Sequence, residues 1–408
     1  MLLLYNAGIR LYFAAIWFAS FFNKKAKLWI NGRKELAFIR YSESIWFHFA
    51  SLGEFEQGRP VLEQLRSLFP QDKIVVTFFS PSGYEVRKDT PLADAVYYLP
   101  LDSAQNARKF IDAIQPKLAI FTKYEYWYHF FNETHRRDIP VYVISGIFRP
   151  GQIFFKWYGG LHRKMLGFVN CFFVQEERSK QLLQGLGVNN VMVSGDTRFD
   201  RVWANAQHPK AVPAIDEFKA DHKIFIAGST WPEDEKLVTT LITAYPGWKF
   251  IIAPHEISEE KINKLMELLP LNSAVRYSSL AADNSSLTNH QILIIDNIGM
   301  LSSLYQYGDI AYIGGGFGAG IHNTLEAAAF GLPVIFGPNY LKFKEANDLI
   351  ALKAGFSISN ESELKAIVND LVSDGPFYNK TSRKIKAYVE EHIGATKTIV
   401  DHLVNSEG

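Results

Sequence analysis

The sequence predicts an α/β protein of two domains, each built on a parallel β-sheet with helices on both faces. Three observations lead to this prediction. Short apolar runs alternate with amphipathic helical stretches from about residue 44 onward, which is typical of parallel sheets covered by helices. This alternation pauses at 206–222 and then restarts. The chain also has 408 residues, a length typical of two or three packed domains.

The first 22 residues are mostly apolar and aromatic. They are long enough to reach across a bilayer, although Asn6 and Arg10 lie among them. A basic cluster follows within 24–34, which favours the cytoplasmic side for this flank. We therefore expect a membrane anchor or an interfacial helix. One alternative is a cleaved signal peptide, although such peptides carry their charge before the apolar run. The other is a first helix buried in the core through Trp17 and Phe18.

Six apolar runs then predict the strands of the first domain. They are short, rich in β-branched and aromatic residues, and bounded by polar, Gly or Pro residues. Amphipathic stretches such as 58–68 and 104–114 predict helices between them. The predicted strands are 45–50, 73–79, 118–122, 141–145, 171–174 and 190–195.

The segment 206–222 predicts a linker, because it has two prolines, mixed charge and weak periodicity. The second domain follows it. Ligands of open parallel sheets bind beyond the carboxyl ends of the strands, so we expect the site in a cleft between the domains. The predicted strands are 223–229, 249–254, 292–296, 310–316 and 333–337, and the predicted parts are 1–34 (helix and basic flank), 35–205, 206–222 and 223–408.

Composition excludes several classes of partner and site. The chain has 43 Lys and Arg residues against 42 Asp and Glu, a net charge of +1, so a broad cationic surface for nucleic acid is not expected. Its one cysteine, Cys171, rules out an internal disulfide and zinc sites of several thiolates. The eleven histidines show no metal-ligand spacing. We expect neither a metal nor a cofactor.

A glycine-rich connection in the second domain is the sharpest local signal. It joins a predicted strand to a helix expected over 324–330, whose N–H groups would stabilise a phosphate. His322 and Asn323 could add donors, and Glu326 could accept hydrogen bonds from ribose hydroxyls. A tight turn without a ligand, with Glu326 as a solvated helix charge, is the alternative. The glycines are Gly314, Gly315, Gly316, Gly318 and Gly320.

Two carboxylates follow predicted strands of the first domain. Glu54 stands at the start of a helix after strand 45–50, where it could take a proton from an alcohol as a general base. The alternative is an acidic residue placed there only by the helix dipole. Glu125 follows strand 118–122 among aromatic residues, and it could bind an acceptor or orient Glu54.

Four smaller candidates also follow predicted strands. Ser229 and Thr230 lie at the end of strand 223–229, His255 comes after 249–254, and Arg198 lies near the predicted linker. Their hydroxyl, imidazole and guanidinium groups could contact a phosphate or a carboxylate, while caps and turns would explain each of them equally well. A glycine-held nucleotide and one carboxylate base are sufficient for a sugar hydroxyl to displace a phosphate leaving group.

Several motifs, taken in order, resemble those of 3-deoxy-D-manno-octulosonic acid (Kdo) transferases. The resemblance covers most of the chain, to about residue 355. The motifs are SLGE at 51–54, Thr77 with PSG at 81–83, LPLD at 99–102, EYW at 125–127, GDTRFD at 195–200, GST at 228–230, and GGG at 314–316 with HN at 322–323 and LE at 325–326.

This resemblance implies a GT-B glycosyltransferase with two Rossmann-like domains that face an interdomain cleft, on the cytoplasmic face of the cell inner membrane. It implies transfer of Kdo, with inversion, from CMP-Kdo to the lipid A precursor lipid IVA in lipopolysaccharide biosynthesis. The first domain would bind the acceptor and the second the CMP-sugar. The implied partners are CMP-Kdo, lipid IVA and inner-membrane lipid, without nucleic acid.

The resemblance also implies roles for particular residues. Glu54 matches the general base, and Glu125 falls in a second acidic motif. The CMP site would draw on Ser229, Thr230, the glycines from Gly314, Asn323 and Glu326. Where the family usually has Pro-Arg-His, this chain has Pro-His-Glu at 254–256, so His255 or Arg198 would have to replace an arginine. A GT-B enzyme that uses a UDP-sugar, or a membrane-attached nucleotide-binding protein without transferase activity, are the competing interpretations.

Overall fold

The structure is a computed structural model that describes residues 1–34, 36–280 and 287–407. The chain forms two compact units. The first unit comprises Met1–Asp200 together with His392–Gly408, and the second comprises Arg201–Glu391. Each unit carries one seven-stranded sheet in which all paired strands are parallel. The predicted α/β class with two parallel sheets is therefore confirmed.

The first unit has strands in the order β3-β2-β1-β4-β5-β6-β7. Its strands are β1 Ser44–Phe49, β2 Lys73–Phe78, β3 Ala95–Tyr98, β4 Pro116–Thr122, β5 Val141–Gly146, β6 Cys171–Val174 and β7 Val191–Val193. Its helices are α1 Leu2–Ala19, α2 Lys24–Asn31, α3 Leu52–Leu68, α4 Pro81–Arg87, α5 Ala104–Ile114, α6 Tyr128–His135, α7 Gly160–Leu166, α8 Glu177–Gln184 and α9 Thr197–Gln207, whose end enters the second unit.

The second unit has strands in the order β10-β11-β9-β8-β12-β13-β14. Its strands are β8 Ile224–Thr230, β9 Lys249–Pro254, β10 Ala274–Arg276, β11 Ile292–Ile294, β12 Ile310–Ile313, β13 Val334–Phe336 and β14 Gly355–Ser357. Its helices are α10 Pro213–Lys219, α11 Pro232–Ala244, α12 Glu259–Leu268, α13 Leu301–Leu304, α14 Leu325–Ala328, α15 Lys344–Ala351, α16 Glu361–Ser373 and α17 Gly375–Glu390, and α18 Ala395–Glu407 returns to the first unit.

Both faces of each sheet are covered, which explains why the strands read as continuous apolar runs. In β1, Trp46 packs into one apolar cluster while Ile45 and Phe47 pack into a second cluster on the opposite face. In β8, Ile226 and Phe225 divide between two clusters in the same way. Because side chains alternate along a strand, each sheet is buried between two apolar layers.

Each sheet has a point where the strand order reverses. It lies between β1 and β4 in the first unit and between β8 and β12 in the second. In open parallel sheets the loops that follow such neighbouring strands diverge, and ligands bind beyond the carboxyl ends at this point. We therefore expect the functional residues to follow β1, β4, β8 and β12.

The sequence analysis missed β3, β10 and β14. All three are edge strands, and each has only three or four residues. Edge strands are short and only partly buried, so they lack the long apolar run that identifies a central strand.

The compact units differ from the predicted domains at two places. The predicted linker 206–222 contains α10, whose Ile215 and Phe218 are fully buried in the core of the second unit. The predicted second domain extends to residue 408, but α18 packs on the first unit, where Ile399 and Leu403 join its apolar cluster. Low periodicity and position in the chain are therefore poor guides to where these segments pack.

The first helix, α1, has no buried residue. Trp17 is 50% exposed and Phe18 is 64% exposed. The alternative in which these two rings lie in the core is therefore wrong. By length and composition α1 is apolar enough to cross a membrane.

Candidate functional site

Glu54 and Glu125 follow the two strands that flank the reversal point of the first sheet. Glu54 lies in the first turn of α3, and the hydroxyl of the capping Ser51 donates a hydrogen bond to its Oε2 atom. The amino end of a helix stabilises negative charge. Gly58 lets α3 approach the sheet closely, since a Cβ there would lie 2.5 Å from the Phe49 ring. The position of Glu54 is thus fixed by cap, helix and sheet together.

Glu125 is held by two ring nitrogens. The Trp127 indole donates from Nε1 to Oε2 of Glu125 at 2.9 Å, and the His48 Nε2 atom lies 3.3 Å from the same oxygen. His48 is fully buried, whereas the Glu125 side chain is 17% exposed. The carboxylate therefore reaches solvent from a buried, polar support, which satisfies the requirement that a carboxylate among aromatic rings be paired.

The tautomer of His48 follows from its other neighbour. Its Nδ1 atom lies 2.8 Å from Oγ1 of Thr77, which also accepts a hydrogen bond from Nε1 of Trp46. An ionised carboxylate only accepts hydrogen bonds, so the proton of a neutral His48 is favoured on Nε2, facing Glu125. In this tautomer the Thr77 hydroxyl, whose oxygen also lies 3.2 Å from the Phe47 carbonyl oxygen, directs its one proton to Nδ1 of His48. We interpret His48 as the buried group that orients Glu125.

The pKa of Tyr124, the residue before Glu125, is affected by the charge of Glu54. Burial raises the pKa of its hydroxyl above the usual value, Arg149 opposes that shift, and the negative charge of Glu54 raises the pKa further. Tyr124 immediately precedes Glu125.

Arg198 lies in the first unit, at the start of α9, rather than with the glycine-rich connection. Its Nε atom donates to Oδ2 of Asp196 at 2.9 Å, and the other oxygen of Asp196 accepts from Nε2 of Gln57 at 2.9 Å. Gln57 lies one turn after Glu54 on α3. Within the first unit, Arg198 is thus tied to the helix of Glu54, and its charge is balanced by Asp196.

In the second unit, Ser229 and Thr230 end β8, and the glycines follow β12, on either side of the reversal point. A Cβ at Gly314 would lie 2.3 Å from the Ser229 carbonyl oxygen, and one at Gly316 would lie 2.6 Å from Cα of Gly337. Gly315 has a φ of +90°, which favours glycine. These glycines therefore have a structural reason, the close approach of strand ends, that the sequence analysis did not recognise.

Several N–H groups of this connection are satisfied within the protein. Gly314 donates to the Gly228 carbonyl, and Gly318 and Gly320 both donate to the Gly315 carbonyl. Gly315 donates to Oδ2 of Asp234 at 2.9 Å. The role we assign to these glycines is therefore close packing, and these four amides are not available to a phosphate.

Asp234 is the buried support of the glycine-rich connection. In addition to Gly315, it accepts from the Trp231 amide at 2.9 Å and from the Tyr312 hydroxyl at 2.7 Å. It is fully buried. Three donors thus converge on one carboxylate, which joins α11, β12 and the connection after β12.

The helix after the glycines is shorter than predicted. It was expected over 324–330, but α14 spans only Leu325–Ala328. The Asn323 side chain accepts from the Leu325 amide at 3.1 Å and donates to Oε1 of Glu326 at 3.1 Å. A single helical turn has a weak dipole, so less phosphate stabilisation is expected from this helix than the sequence suggested.

Thr230 and Ser229 occupy different environments at the end of β8. The Thr230 hydroxyl donates to Oε1 of the neighbouring Glu235 at 3.2 Å and is buried. Burial raises the pKa of Glu235, and the Thr230 hydrogen bond opposes that shift. Ser229 has a φ of +54°, an unusual conformation for a residue with a side chain, and such strain often marks a functional turn.

His255 and His322 form an aromatic stack with Trp231. The Trp231 and His255 rings lie 4.8 Å apart and the His255 and His322 rings 4.4 Å apart, all nearly parallel. Trp231, His322 and the glycine-rich connection line a cavity of about 300 Å³. His255 is thus placed beside this cavity, at the position where an arginine was expected.

His322 is uncharged near neutral pH. Burial, reinforced by His255, lowers its pKa to about 4. The Trp231 Nε1–H group donates to Nε2 of His322 at 3.2 Å, so the proton of the neutral imidazole is on Nδ1. His322 therefore offers a neutral N–H donor.

The structure divides the sequence-derived candidates between the units. The first unit holds three of them: Glu54, Glu125 and Arg198. The second holds the rest: Ser229, Thr230, His255, Gly314, Gly315, Gly316, His322, Asn323 and Glu326. In the described ranges, no three His, Cys, Asp or Glu side chains are grouped so as to hold a metal ion.

Sequence reasoning missed His48, Trp231 and Asp234. One signal was available for His48, because a histidine within an otherwise apolar strand must find buried hydrogen-bond partners. Asp234 stands three residues after Trp231, the position from which an acidic side chain caps a helix. The bond from this side chain to Gly315 could not be read from the sequence.

Most of the first unit matches a known protein family. Residues 21–201 match the family model described as 3-Deoxy-D-manno-octulosonic-acid transferase (kdotransferase). A 3-deoxy-D-manno-octulosonic acid transferase of Chlamydia trachomatis serovar A is 27% identical over 358 residues, which are 85% of this chain and 80% of that protein.

A longer relative and a solved structure extend the comparison. A bifunctional glycosyltransferase/methyltransferase of Fusobacterium nucleatum is 25% identical over 91% of this chain, and the chain spans only 59% of that protein. A UDP-GlcNAc 2-epimerase of Neisseria meningitidis, solved bound to UDP-GlcNAc, has a TM-score of 0.61 at 17% identity and covers 89% of this chain and 100% of its own. This likeness concerns the fold, and it confirms the predicted pair of Rossmann-like domains of GT-B type.

Proposed function

We propose, because residues 21–201 match the Kdo transferase family model and most of the chain is similar to a Kdo transferase, that it is an inverting glycosyltransferase which moves Kdo from CMP-Kdo to lipid IVA. The observation that carries the proposal is the placement of Glu54. It lies at the carboxyl-end edge of the first sheet, in the first turn of α3, within the region that matches the family model. A carboxylate held there by its cap suits a general base for a hydroxyl acceptor.

In this proposal Glu54 accepts the proton of a lipid IVA hydroxyl. The hydroxyl oxygen forms a bond to the anomeric carbon of Kdo, while the bond from that carbon to the phosphate oxygen breaks and CMP leaves with the electron pair. Attack opposite to the leaving group inverts the configuration. Glu125, oriented by His48, binds the acceptor beside Glu54 and keeps its hydroxyl in position.

The donor is assigned to the second unit. The cavity beside the glycine-rich connection would receive CMP, with the neutral Nδ1–H of His322 as a donor to its phosphate and Glu326 as an acceptor for ribose hydroxyls. Hydrogen bonds aimed at the leaving phosphate stabilise the charge that develops there. Ser229, Thr230, His255 and Asn323 complete the proposed site.

The test is mass spectrometry of lipid IVA after incubation with CMP-Kdo and the purified chain. We expect a product that is heavier by one or more Kdo residues, together with release of CMP. Excess CMP should inhibit the transfer and excess UDP should not. Unchanged lipid IVA would contradict the proposal, and inhibition by UDP alone would favour a UDP-sugar donor.

We further propose that α1 lies on the inner membrane and does not span it. One side of the helix is hydrogen bonded to the first unit. The Tyr5 hydroxyl donates to Oδ2 of Asp102 at 2.5 Å, and Oδ1 of Asn6 lies 2.7 Å from Nε2 of His129. A helix docked on a protein surface by polar groups cannot also be surrounded by lipid.

The opposite side of α1 is apolar and exposed. Leu3 is 84% exposed, Leu11 70% and Phe18 64%. Lysines follow at 24, 25 and 27, where they would meet anionic head groups. This arrangement supports an interfacial helix, which in our proposal lies on the cytoplasmic face, close to an acceptor whose acyl chains stay in the bilayer.

Labelling of a variant with a cysteine inserted between Met1 and Leu2, at the end of α1, tests this proposal when the protein is bound to sealed vesicles. The natural cysteine, Cys171, is buried. We expect a membrane-impermeant maleimide added outside to modify the inserted cysteine. Modification only after detergent lysis would show that the helix crosses the bilayer. Deletion of residues 1–22 should lower activity on vesicle-embedded acceptor more than on detergent-solubilised acceptor.

A further inference from the structure

The first unit also has a polar cavity, and neither Glu54 nor Glu125 lines it. It has a volume of about 390 Å³, and its wall includes Phe13 of α1, the residues just after α2, the loop after β3 and the start of α5. Three cations line it: Arg33, Lys34 and Lys109. No carboxylate is among the described residues that line it. A cavity with three positive charges attracts an anion.

Arg33 is fixed at the back of this cavity. Its guanidinium lies 3.8 Å from the centre of the Trp29 ring and 4.9 Å from that of Tyr98. It donates to the carbonyl oxygens of Leu99 at 2.8 Å and Phe79 at 2.7 Å, and to that of Trp29. These carbonyls orient the group but do not cancel its charge. A guanidinium has five N–H donors, so two remain beyond these three bonds.

The charge of Arg33 has no acidic partner in the described part of the chain. No carboxylate there lies within ion-pair distance of it. Burial lowers the pKa of Arg33 to about 9, although the Tyr98 and Tyr12 hydroxyls oppose the shift. Even so, the group remains charged near neutral pH. A half-buried cation without a counter-charge is costly, and an anion in the cavity would offset that cost.

The surroundings indicate what kind of anion would bind. Lys34 and Lys109 are exposed, so they can close on a ligand from the solvent side. Phe13 brings the apolar helix α1 to the same cavity. A ligand that matches both features is an amphiphile with a phosphate group at its polar end. Arginine and lysine are the usual ligands of phosphate.

We propose that this cavity binds a phosphate group of a lipid at the membrane surface, with Arg33, Lys34 and Lys109 as its ligands. The phosphate can belong to the acceptor, in which case the inference rests on the function proposed above, or to a bulk phospholipid. Bound there, it holds the first unit to the membrane beside α1. Asn106, which also lines the cavity, adds a polar side chain for the sugar or glycerol next to the phosphate.

Vesicle flotation tests the proposal without any donor sugar or turnover. The purified full chain is mixed with vesicles of a phosphate-free galactolipid that contain lipid IVA, dephosphorylated lipid IVA or phosphatidylglycerol. The test variant is Lys34→Gln/Lys109→Gln, and the matched control is Lys88→Gln/Lys180→Gln, which removes the same charge elsewhere on the first unit. Arg33→Met is the second test variant, read together with its circular dichroism because its site is enclosed.

We expect the test variant to bind phosphate-bearing vesicles about tenfold more weakly than the control variant does. A loss confined to lipid IVA vesicles assigns the phosphate to the acceptor, and an equal loss on phosphatidylglycerol assigns it to bulk lipid. Equal weakening by the control, or equal weakening on dephosphorylated lipid IVA, would overturn the proposal. Because no transfer is measured, these outcomes are separate from failure of the transferase assay.

Discussion

Asp234 should be the most sensitive single position of the second unit outside the apolar core. Three donors converge on its carboxylate: the amides of Gly315 and Trp231 and the hydroxyl of Tyr312. In an Asp234→Ala variant all three would lose their acceptor in a buried place. Each unsatisfied buried donor costs about 1–3 kcal/mol, and partial relaxation makes a total loss of about 3–6 kcal/mol the expected range.

Asp234→Asn is the matched variant. Its side chain has nearly the same shape, its amide oxygen can accept both backbone N–H groups, and the Tyr312 hydroxyl can rotate to accept from its NH₂ group. Only the charge-assisted part of each bond is lost, so we expect a destabilisation of about 1–2 kcal/mol. Tyr312→Phe removes one of the three donors and should make the Asp234→Ala substitution less costly.

The measurements are the urea midpoint of unfolding and the affinity for CMP. We expect the order wild type, Asp234→Asn, Asp234→Ala for both, since Asp234 holds the connection that borders the cavity. An Asp234→Ala variant that unfolds at the wild-type midpoint and binds CMP normally would refute the assignment of Asp234 as the support of this connection.

Three further substitutions test the other groups. Glu54→Gln should lower kcat at least ~10²-fold, the usual effect of losing a general base, and leave CMP affinity similar. His48→Asn should raise the KM for the acceptor about tenfold and leave the KM for CMP-Kdo similar, because it releases Glu125 without touching the second unit. For His322, the pKa is lowered from 6.5 to about 4 in the folded chain. Between these pH values the imidazole is protonated in the unfolded chain and neutral in the folded chain. Stability should therefore fall as the pH falls from 6.5 towards 4, and His322→Gln should reduce that fall.

Each of these has a result that would contradict it. Normal turnover of Glu54→Gln would remove Glu54 from the role of base. An equal rise of both KM values in His48→Asn would indicate a general structural defect, and His48→Gln, which keeps a donor of similar reach, should recover part of the activity. An unchanged pH profile in His322→Gln would assign the acid sensitivity to other groups.

The sequence was sufficient for the parts of the fold that rest on long apolar runs. The central strands are fully buried on both faces, so they are visible as such runs. The edge strands β3, β10 and β14 are too short and too weakly apolar to be seen in this way. The segment 213–219 was predicted as part of a linker because its short helix has only two core residues, Ile215 and Phe218. Two apolar residues are too few to form a clear helical pattern in the sequence.

For the site, the sequence identified residues at strand ends but not what holds them. Glu54 and Glu125 could be found because chemistry at the carboxyl end of a parallel strand is expected there. The support of Glu125 by His48 depends on pairing of β1 with β4, and the support of Gly315 by Asp234 depends on contact across many residues of chain. Such long-range hydrogen bonds have no signature in local composition.

The return of α18 to the first unit has a consequence for how the protein is made. Asp200 accepts hydrogen bonds from the amides of Gly394 and Thr396, and Leu403 is buried in the apolar layer of the first sheet. On the ribosome, α18 emerges only after the whole second unit has been synthesised. The first unit therefore stays incomplete until α18 has been made, and loss of α18 would damage the half of the protein that was translated first.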